Sequence, residues 1–303
     1  DLVNLGNAYK DLGEAREAIK HYEEALKIDR ETSDRKHENV TLGSLGHAYR
    51  DLGETREAIK NYEQALAIAR EIGERSWESD DLFVLGYAYG DLGEAKEAIK
   101  HYEEALKIHR EAGDREHESI DLYALGDAYK GLGETTEAIS HYEQSLAIDR
   151  DLGDRESERQ GLTNLGFTHA LWGDAHEAVK YCEQALRIDR ELGDKKSEGM
   201  NLSNLGIAYF VLGDEQSAVD CVEQALAIAQ ELNDQELKGM ILEDRGETCR
   251  KLGDLDQASQ FFADALKIYE EMSPSRANKV RQKLSSLRAN QTETEDLAWN
   301  SRD

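Results

Sequence analysis

The stretch Leu85-Gly86-Tyr87-Ala88-Tyr89-Gly90-Asp91-Leu92-Gly93-Glu94 decides the fold, because versions of it return along the chain at one fixed interval. Its first glycine recurs as Gly6, Gly46, Gly86, Gly126, Gly166, Gly206 and Gly246, each 40 residues after the last. Its second keeps the same step through Gly13, Gly53, Gly93, Gly133, Gly173, Gly213 and Gly253. A period of about 20 to 50 residues marks a solenoid or propeller, in which each unit buries its apolar face only against its neighbours. Length alone suggests about two domains, but the unbroken period argues for one continuous array of seven units over residues 1–274. The chain opens at Asp1, whose counterparts Thr41 and Asp81 lie well inside a helix of the repeat. The first unit is therefore expected to be truncated and the sequence to be part of a longer protein.

Within one unit the apolar positions run Leu82, Leu85, Ala88/Tyr89 and Leu92, then Ala98/Ile99, Tyr102, Ala105/Leu106 and Ile108. Those steps of three and four are the spacing of two amphipathic helices. Gly93 between them suits the left-handed residue that ends a helix, and Glu94 suits the positive start of the next. The second helix is predicted to stop at Gly113, with Asp114 capping the helix that follows. Each repeat therefore reads as a helical hairpin. Small residues at Gly86, Ala88, Ala98 and Ala105 let the two helices approach closely, while Tyr89 and Tyr102 fill the space between hairpins.

These residues resemble the tetratricopeptide repeat. Leu82-x2-Leu85-Gly86-x2-Tyr89, then Ala98-x3-Tyr102 and Ala105, follow its W-x2-L-G-x2-Y and A-x3-F pattern with Leu for Trp and Tyr for Phe. The common repeat has about 34 residues and ends in Pro, whereas Arg30, Arg70, Arg110, Arg150 and Arg190 stand where that Pro would be. The helix can then run on, so the extra length is expected in longer helices. With LGNAY at Leu5 to Tyr9 and GDR at Gly113 to Arg115 and Gly153 to Arg155, the 40-residue form looks like the repeats of the LGN/Pins G-protein-signalling modulator family. It is similar also to arrays in bacterial multidomain signalling proteins. The Gα-binding motifs of the first family are not recognisable here. The resemblance implies an all-α, right-handed superhelical solenoid of helix-turn-helix repeats. Past Ser273-Pro274, residues 275–289 read as a capping helix, and residues 290–303 as an acidic, disordered tail.

The formal net charge is -27, from 64 acidic and 37 basic residues. Nucleic-acid affinity depends on cations that neutralise phosphates, so neither nucleic acid nor an anionic membrane surface is an expected partner, and neutral or basic partners are favoured. Cys182, Cys221 and Cys249 are odd in number and show no metal-ligand spacing, which fits free thiols in a reducing, cytoplasmic setting. No apolar run approaches the roughly 20 residues of a membrane span. No P-loop, nucleophile elbow, HExxH pair or CxxC occurs. His21, His101 and His141 share one helical position with Asn61, Tyr181, Cys221 and Phe261, which marks a packing or surface site rather than a metal ligand. No catalytic residue, metal or cofactor is expected.

The positions that change from copy to copy hold the functional information. The resemblance implies that the first helix of each repeat lines an inner, concave groove that holds a protein or extended peptide. The candidate groove residues are Asn7, His47 and Arg50 in the first two repeats, then Phe83, Tyr87, Tyr123, Asp127 and Lys130 in the third and fourth, and Phe167, Leu171, Ile207, Phe210 and Val211 in the fifth and sixth. Exposed positions have no packing reason to be Phe, Ile and Val, so repeats five and six read as an apolar anchor patch. The competing expectation is that these side chains pack on the neighbouring hairpin or lie under the C-terminal segment. The chain reads as a non-catalytic binding scaffold. The alternative is a sensor or self-association arm of a larger signalling protein whose effector domain lies upstream. Oligomeric state is not encoded in the pattern.

Overall fold

In the computed structural model, residues 2–251 and 253–300 are described, those after 287 by their backbone alone. They form two compact units, Asp1–Asp154 and Arg155–Asp303. The first holds four hairpins, α1 (Leu2–Asp11) with α2 (Ala15–Thr32), α3 (Arg35–Asp51) with α4 (Thr55–Ile72), α5 (Arg75–Asp91) with α6 (Ala95–Ala112), and α7 (Arg115–Leu132) with α8 (Thr135–Leu152). The second holds α9 (Arg155–Trp172) with α10 (Ala175–Leu192), α11 (Lys195–Leu212) with α12 (Glu215–Glu231), α13 (Gln235–Lys251) with α14 (Leu255–Met272), and then α15 (Pro274–Asn300). Within each unit every helix packs on the next in sequence, and first helices of adjacent hairpins also touch. That is the all-α solenoid arrangement expected from the period.

What fixes the hairpin is a side chain of its second helix set against the marker glycine of its first. Tyr22, Tyr62, Tyr102 and Tyr142 are buried over Gly6, Gly46, Gly86 and Gly126. A Cβ added to Gly86 would stand 2.6 Å from Tyr102 Cε1. In the second unit Cys182, Val222 and Phe262 take the place of the ring over Gly166, Gly206 and Gly246. The turns follow the expected chemistry. Gly93 has φ 74°, and the Glu94 N–H donates to the Tyr89 carbonyl at 2.9 Å. At the end of α6 Gly113 is left-handed, and the Asp114 carboxylate accepts from the His117 N–H at 3.1 Å. Glu94 makes no side-chain cap bond, so what it offers the start of α6 is charge alone.

The extra length of each repeat lies in longer helices, such as the 17 residues of α5 and the 18 of α6, and carries an ion ladder. Where the shorter repeat has Pro, Arg30, Arg70, Arg110 and Arg190 donate through Nε to Glu38, Glu78, Glu118 and Glu198 of the next hairpin, at 2.8–2.9 Å. Each glutamate also takes a second cation from its own helix, Arg35, Arg75, Arg115 or Lys195. At the far end Ala277, Val280, Leu284 and Leu287 of α15 are buried with Phe262 and Tyr269 of α14. The segment 275–289 lies within α15, which continues to Asn300. Side chains beyond 287 and residues 301–303, on which the expected tail falls, lie outside the described residues.

Two glycines of α7 give a test of opposite sign. Gly126→Ala drives a methyl into Tyr142, which is fully buried and tied by its hydroxyl to Asp127 at 2.6 Å, so it should destabilise by about 1–3 kcal/mol. Gly131→Ala meets nothing within 4 Å and should stabilise by up to about 1 kcal/mol through helix propensity. Urea unfolding followed by circular dichroism measures both, and a loss of stability in the second variant would contradict the open space found beside Gly131.

Candidate functional site

Between α5 and α7 the first unit opens a cavity of about 420 Å³. Its walls come from helix spacing. Phe83, Tyr87, Gly90 and Asp91 recur every three or four residues on one face of α5, as Ile120, Tyr123, Ala124, Asp127, Ala128 and Gly131 do on α7. The floor is Ala95, Ala98 and Tyr102 of α6. Gly90 and Gly131 have helical φ, and nothing lies within 4 Å of where a Cβ would stand on either. They are therefore neither turn residues nor seats for a ring; what they leave is space.

Polar groups sit at the mouth of this apolar hollow. Asp127 is committed, accepting from the Tyr142 hydroxyl at 2.6 Å and from Lys130 Nζ at 2.6 Å. Asp91 makes no hydrogen bond or ion pair among the described residues. Tyr87 is 48% exposed, and the Arg50 guanidinium lies 4.6 Å from its ring centroid. Phe83 leans on Tyr102 and Tyr123 on Tyr142, with centroids 5.5 and 5.7 Å apart.

The residues picked from the sequence thus divide into three groups. Phe83, Tyr87, Tyr123 and Asp127 are brought together around the cavity, with Arg50 and Lys130 beside it. Asn7 and His47 instead serve the core, each bonded to the phenol of its own hairpin, Tyr22 to Asn7 at 2.6 Å and Tyr62 to His47 at 2.9 Å. In the second unit Ile207 packs on Ala170, Ala178 and Ala208, and Phe210 lies beneath the buried guanidinium of Arg245, 4.5 Å away. Phe167 is half-buried, whereas Leu171 and Val211 are exposed. Sequence reasoning missed Ile120 and the α6 floor. The signal for Ile120 was its step of three and four to Tyr123 and Ala124.

The titratable groups elsewhere are structural. His109 Nδ1 lies 2.5 Å from an Asp121 oxygen in the buried seam between α6 and α7. Burial opposes charging that ring, but the Asp121 carboxylate outweighs it and holds His109 above the usual imidazole range. Burial pushes the Cys182 thiol up to about 12, and Cys182, Cys221 and Cys249 are free and buried, which makes them inert. No group of three or more His, Cys, Asp or Glu side chains suited to a metal ion occurs among the described residues. Nor is any described helix long and apolar enough to cross a membrane.

Comparison with known proteins agrees with the repeat fold. Family models of the tetratricopeptide repeat match residues 2–71, 82–151, 157–231 and 199–271, and a second such model matches 44–114. No curated protein matches the chain. Among solved structures, BtubC (BKLC) from P. vanneervenii is 24% identical, covering 71% of this chain and 91% of its own, with a TM-score of 0.63. A tetratricopeptide repeat protein from Parabacteroides merdae is 17% identical over 94% of this chain and 97% of its own, TM-score 0.66. A Rap protein complexed with Competence and Sporulation Factor is 17% identical over 94% of this chain and 75% of its own, TM-score 0.62. At these identities the likeness is one of fold.

Asp81 supplies the pH test of the buried seams. It is 7% exposed and accepts from Asn39 Nδ2 at 2.8 Å, yet burial, aided by Asp80, pushes its pKa up to about 7. A carboxyl raised in the fold favours folding below its unfolded value and loses that contribution as pH rises through the folded one. Stability should therefore fall between about pH 4 and pH 7, by up to about 1.4 kcal/mol for each pH step of one crossed. Asp81→Asn should be more stable than wild type at pH 8, and this advantage should vanish near pH 4 in thermal unfolding across that range.

Proposed function

The chain belongs to the tetratricopeptide repeat family, and from that premise we propose that it is a non-catalytic scaffold holding a protein or extended peptide through the cavity between α5 and α7. One observation carries this reading: an aromatic-walled hollow of about 420 Å³ that the fold itself does not require. Ligand sites are concave and mostly apolar, with a few polar groups that fix orientation. Phe83, Tyr87 and Tyr123 supply the first feature, and Asp91 and Asp127 the second. Anchoring by aromatic residues in a desolvated pocket is the usual source of interface affinity.

In this proposal the anchor lies in repeats three and four; in repeats five and six Ile207 and Phe210 are engaged by their neighbours. Leu171 and Val211 of the second unit remain exposed. The partner is neutral or basic and bears apolar side chains, in keeping with the formal charge of -27. Buried, protonated thiols suit a reducing, cytoplasmic setting.

A photoactivatable benzoylphenylalanine in place of Tyr87, compared with one at exposed Lys107 of α6, tests this site. Irradiation in the native cell extract should give a discrete protein adduct from position 87 and not from 107, and Gly131→Leu, which fills the cavity, should cut its yield about ten-fold or more. Equal adducts from both positions, or an adduct indifferent to Gly131→Leu, would sink the proposal.

A further inference from the structure

Three hairpins of the first unit carry a cation four residues after the marker glycine, namely Lys10, Arg50 and Lys130, and the third carries Gly90 instead. Arg50 shows where such a side chain goes. Its guanidinium reaches across to the next hairpin and lies 4.6 Å from the Tyr87 ring centroid. Gly90 stands on α5 where Arg50 stands on α3, and the counterpart of Tyr87 in the hairpin it faces is Asp127. Both Gly90 and Asp127 line the cavity. The hollow is thus the room that Arg50 fills one hairpin earlier, whereas Lys130 stays on its own hairpin, bonded to Asp127.

Asp91 follows that glycine, lines the cavity and, like Asp11 and Asp51 of the earlier hairpins, makes no hydrogen bond or ion pair among the described residues. Asp127 cannot stand in for it as an unpaired carboxylate, being bonded to Lys130 and Tyr142. Tyr102 adds a second unmet group. The residue after the marker glycine bonds the hairpin's phenol in the first, second and fourth hairpins. In the third it is Tyr87, and Tyr102 makes no such bond among the described residues while lining the cavity.

We infer that the cavity takes an arginine side chain of the partner, which supplies in trans the cation that Gly90 omits. Its methylene stem lies along Phe83, Ile120 and Tyr123, and its guanidinium pairs with Asp91 within reach of the Tyr102 hydroxyl. Guanidinium suits this place better than ammonium because it is planar, weakly hydrated and stacks on aromatic rings. Arg50 already occupies the Tyr87 ring, so the arginine runs along the Phe83 side of the cavity. A basic segment is also drawn to a chain of charge -27 by long-range attraction. This inference rests on the cavity being the partner site.

Fluorescence anisotropy with three labelled nonapeptides of alternating leucine and serine tests it, their central residue being arginine, its neutral isostere citrulline, or phenylalanine. The whole chain is titrated as wild type, Gly90→Arg and Asp91→Asn, with helicity checked by circular dichroism. The arginine peptide should bind wild type about ten-fold or more tighter than the citrulline peptide. Asp91→Asn should bring that ratio within about three-fold. Gly90→Arg, whose own side chain fills the hollow, should abolish binding of all three and raise the melting temperature. If Gly90→Arg loses helicity, Gly131→Leu performs the same block. Equal affinity for arginine and citrulline, with the block intact, overturns the cationic anchor and leaves the cavity as the binding site. Binding that survives the block, or no binding by any of the three peptides, overturns both.

Discussion

A buried tyrosine ring set against a glycine governs the first unit, and the consequences run outward to the groove. Because a Cβ on Gly6, Gly46, Gly86 or Gly126 would stand 2.3–2.6 Å from the ring, only glycine lets the two helices meet at this distance. Once the ring is buried its hydroxyl must find a partner, and the nearest available position is the residue after the glycine. Asn7, His47 and Asp127 meet that need. Part of the apparent variability of the groove is therefore core chemistry, a choice among side chains able to bond a phenol. Tyr87 is the exception, and the cavity opens beside it.

The same constraint explains the apolar run of the second unit. Where the seat over the glycine is Cys182 or Val222, there is no hydroxyl to satisfy, and the residue after the glycine turns apolar as Phe167 or Ile207. Ile207 then packs with Ala170, Ala178 and Ala208. Phe210 has a further reason, since it carries the guanidinium of Arg245, a residue standing where the sister repeats have the core leucine. Ile207 and Phe210 thus have packing causes that a reading of single positions does not see. The pairing that sets them joins residues on two different helices.

Length follows from a different source. Arg in place of the helix-ending Pro lets the second helix continue, and the added turn meets a glutamate of the next hairpin. Isolated surface ion pairs contribute little, about 0–1 kcal/mol. Here each glutamate is largely buried on its side chain, as at Glu38 and Glu118, and holds two cations. Burial alone would raise the Glu38 carboxyl, and Arg30 and Arg35 bring it below the usual range. The ladder orders one hairpin against the next at a place away from the cavity.

The hairpins, their turns and the caps at Asp114 and its counterparts were legible in the sequence because each depends on residues close together along the chain or repeated at a fixed step. The site was legible only in part. Phe83, Tyr87, Tyr123 and Asp127 stood out as aromatic or polar letters in a variable column, but what joins them is space, and space is written as the absence of a side chain. Glycine in this chain has three distinguishable duties. The marker glycines seat a side chain of the facing helix, and those with positive φ, such as Gly93 and Gly113, end helices. Gly90 and Gly131, like Gly43 of α3, do neither, although helical glycine is locally unfavourable by up to about 1 kcal/mol. A locally unfavourable residue with no compensating contact is where function is to be sought. Gly90 and Gly131 both lie on the cavity between α5 and α7.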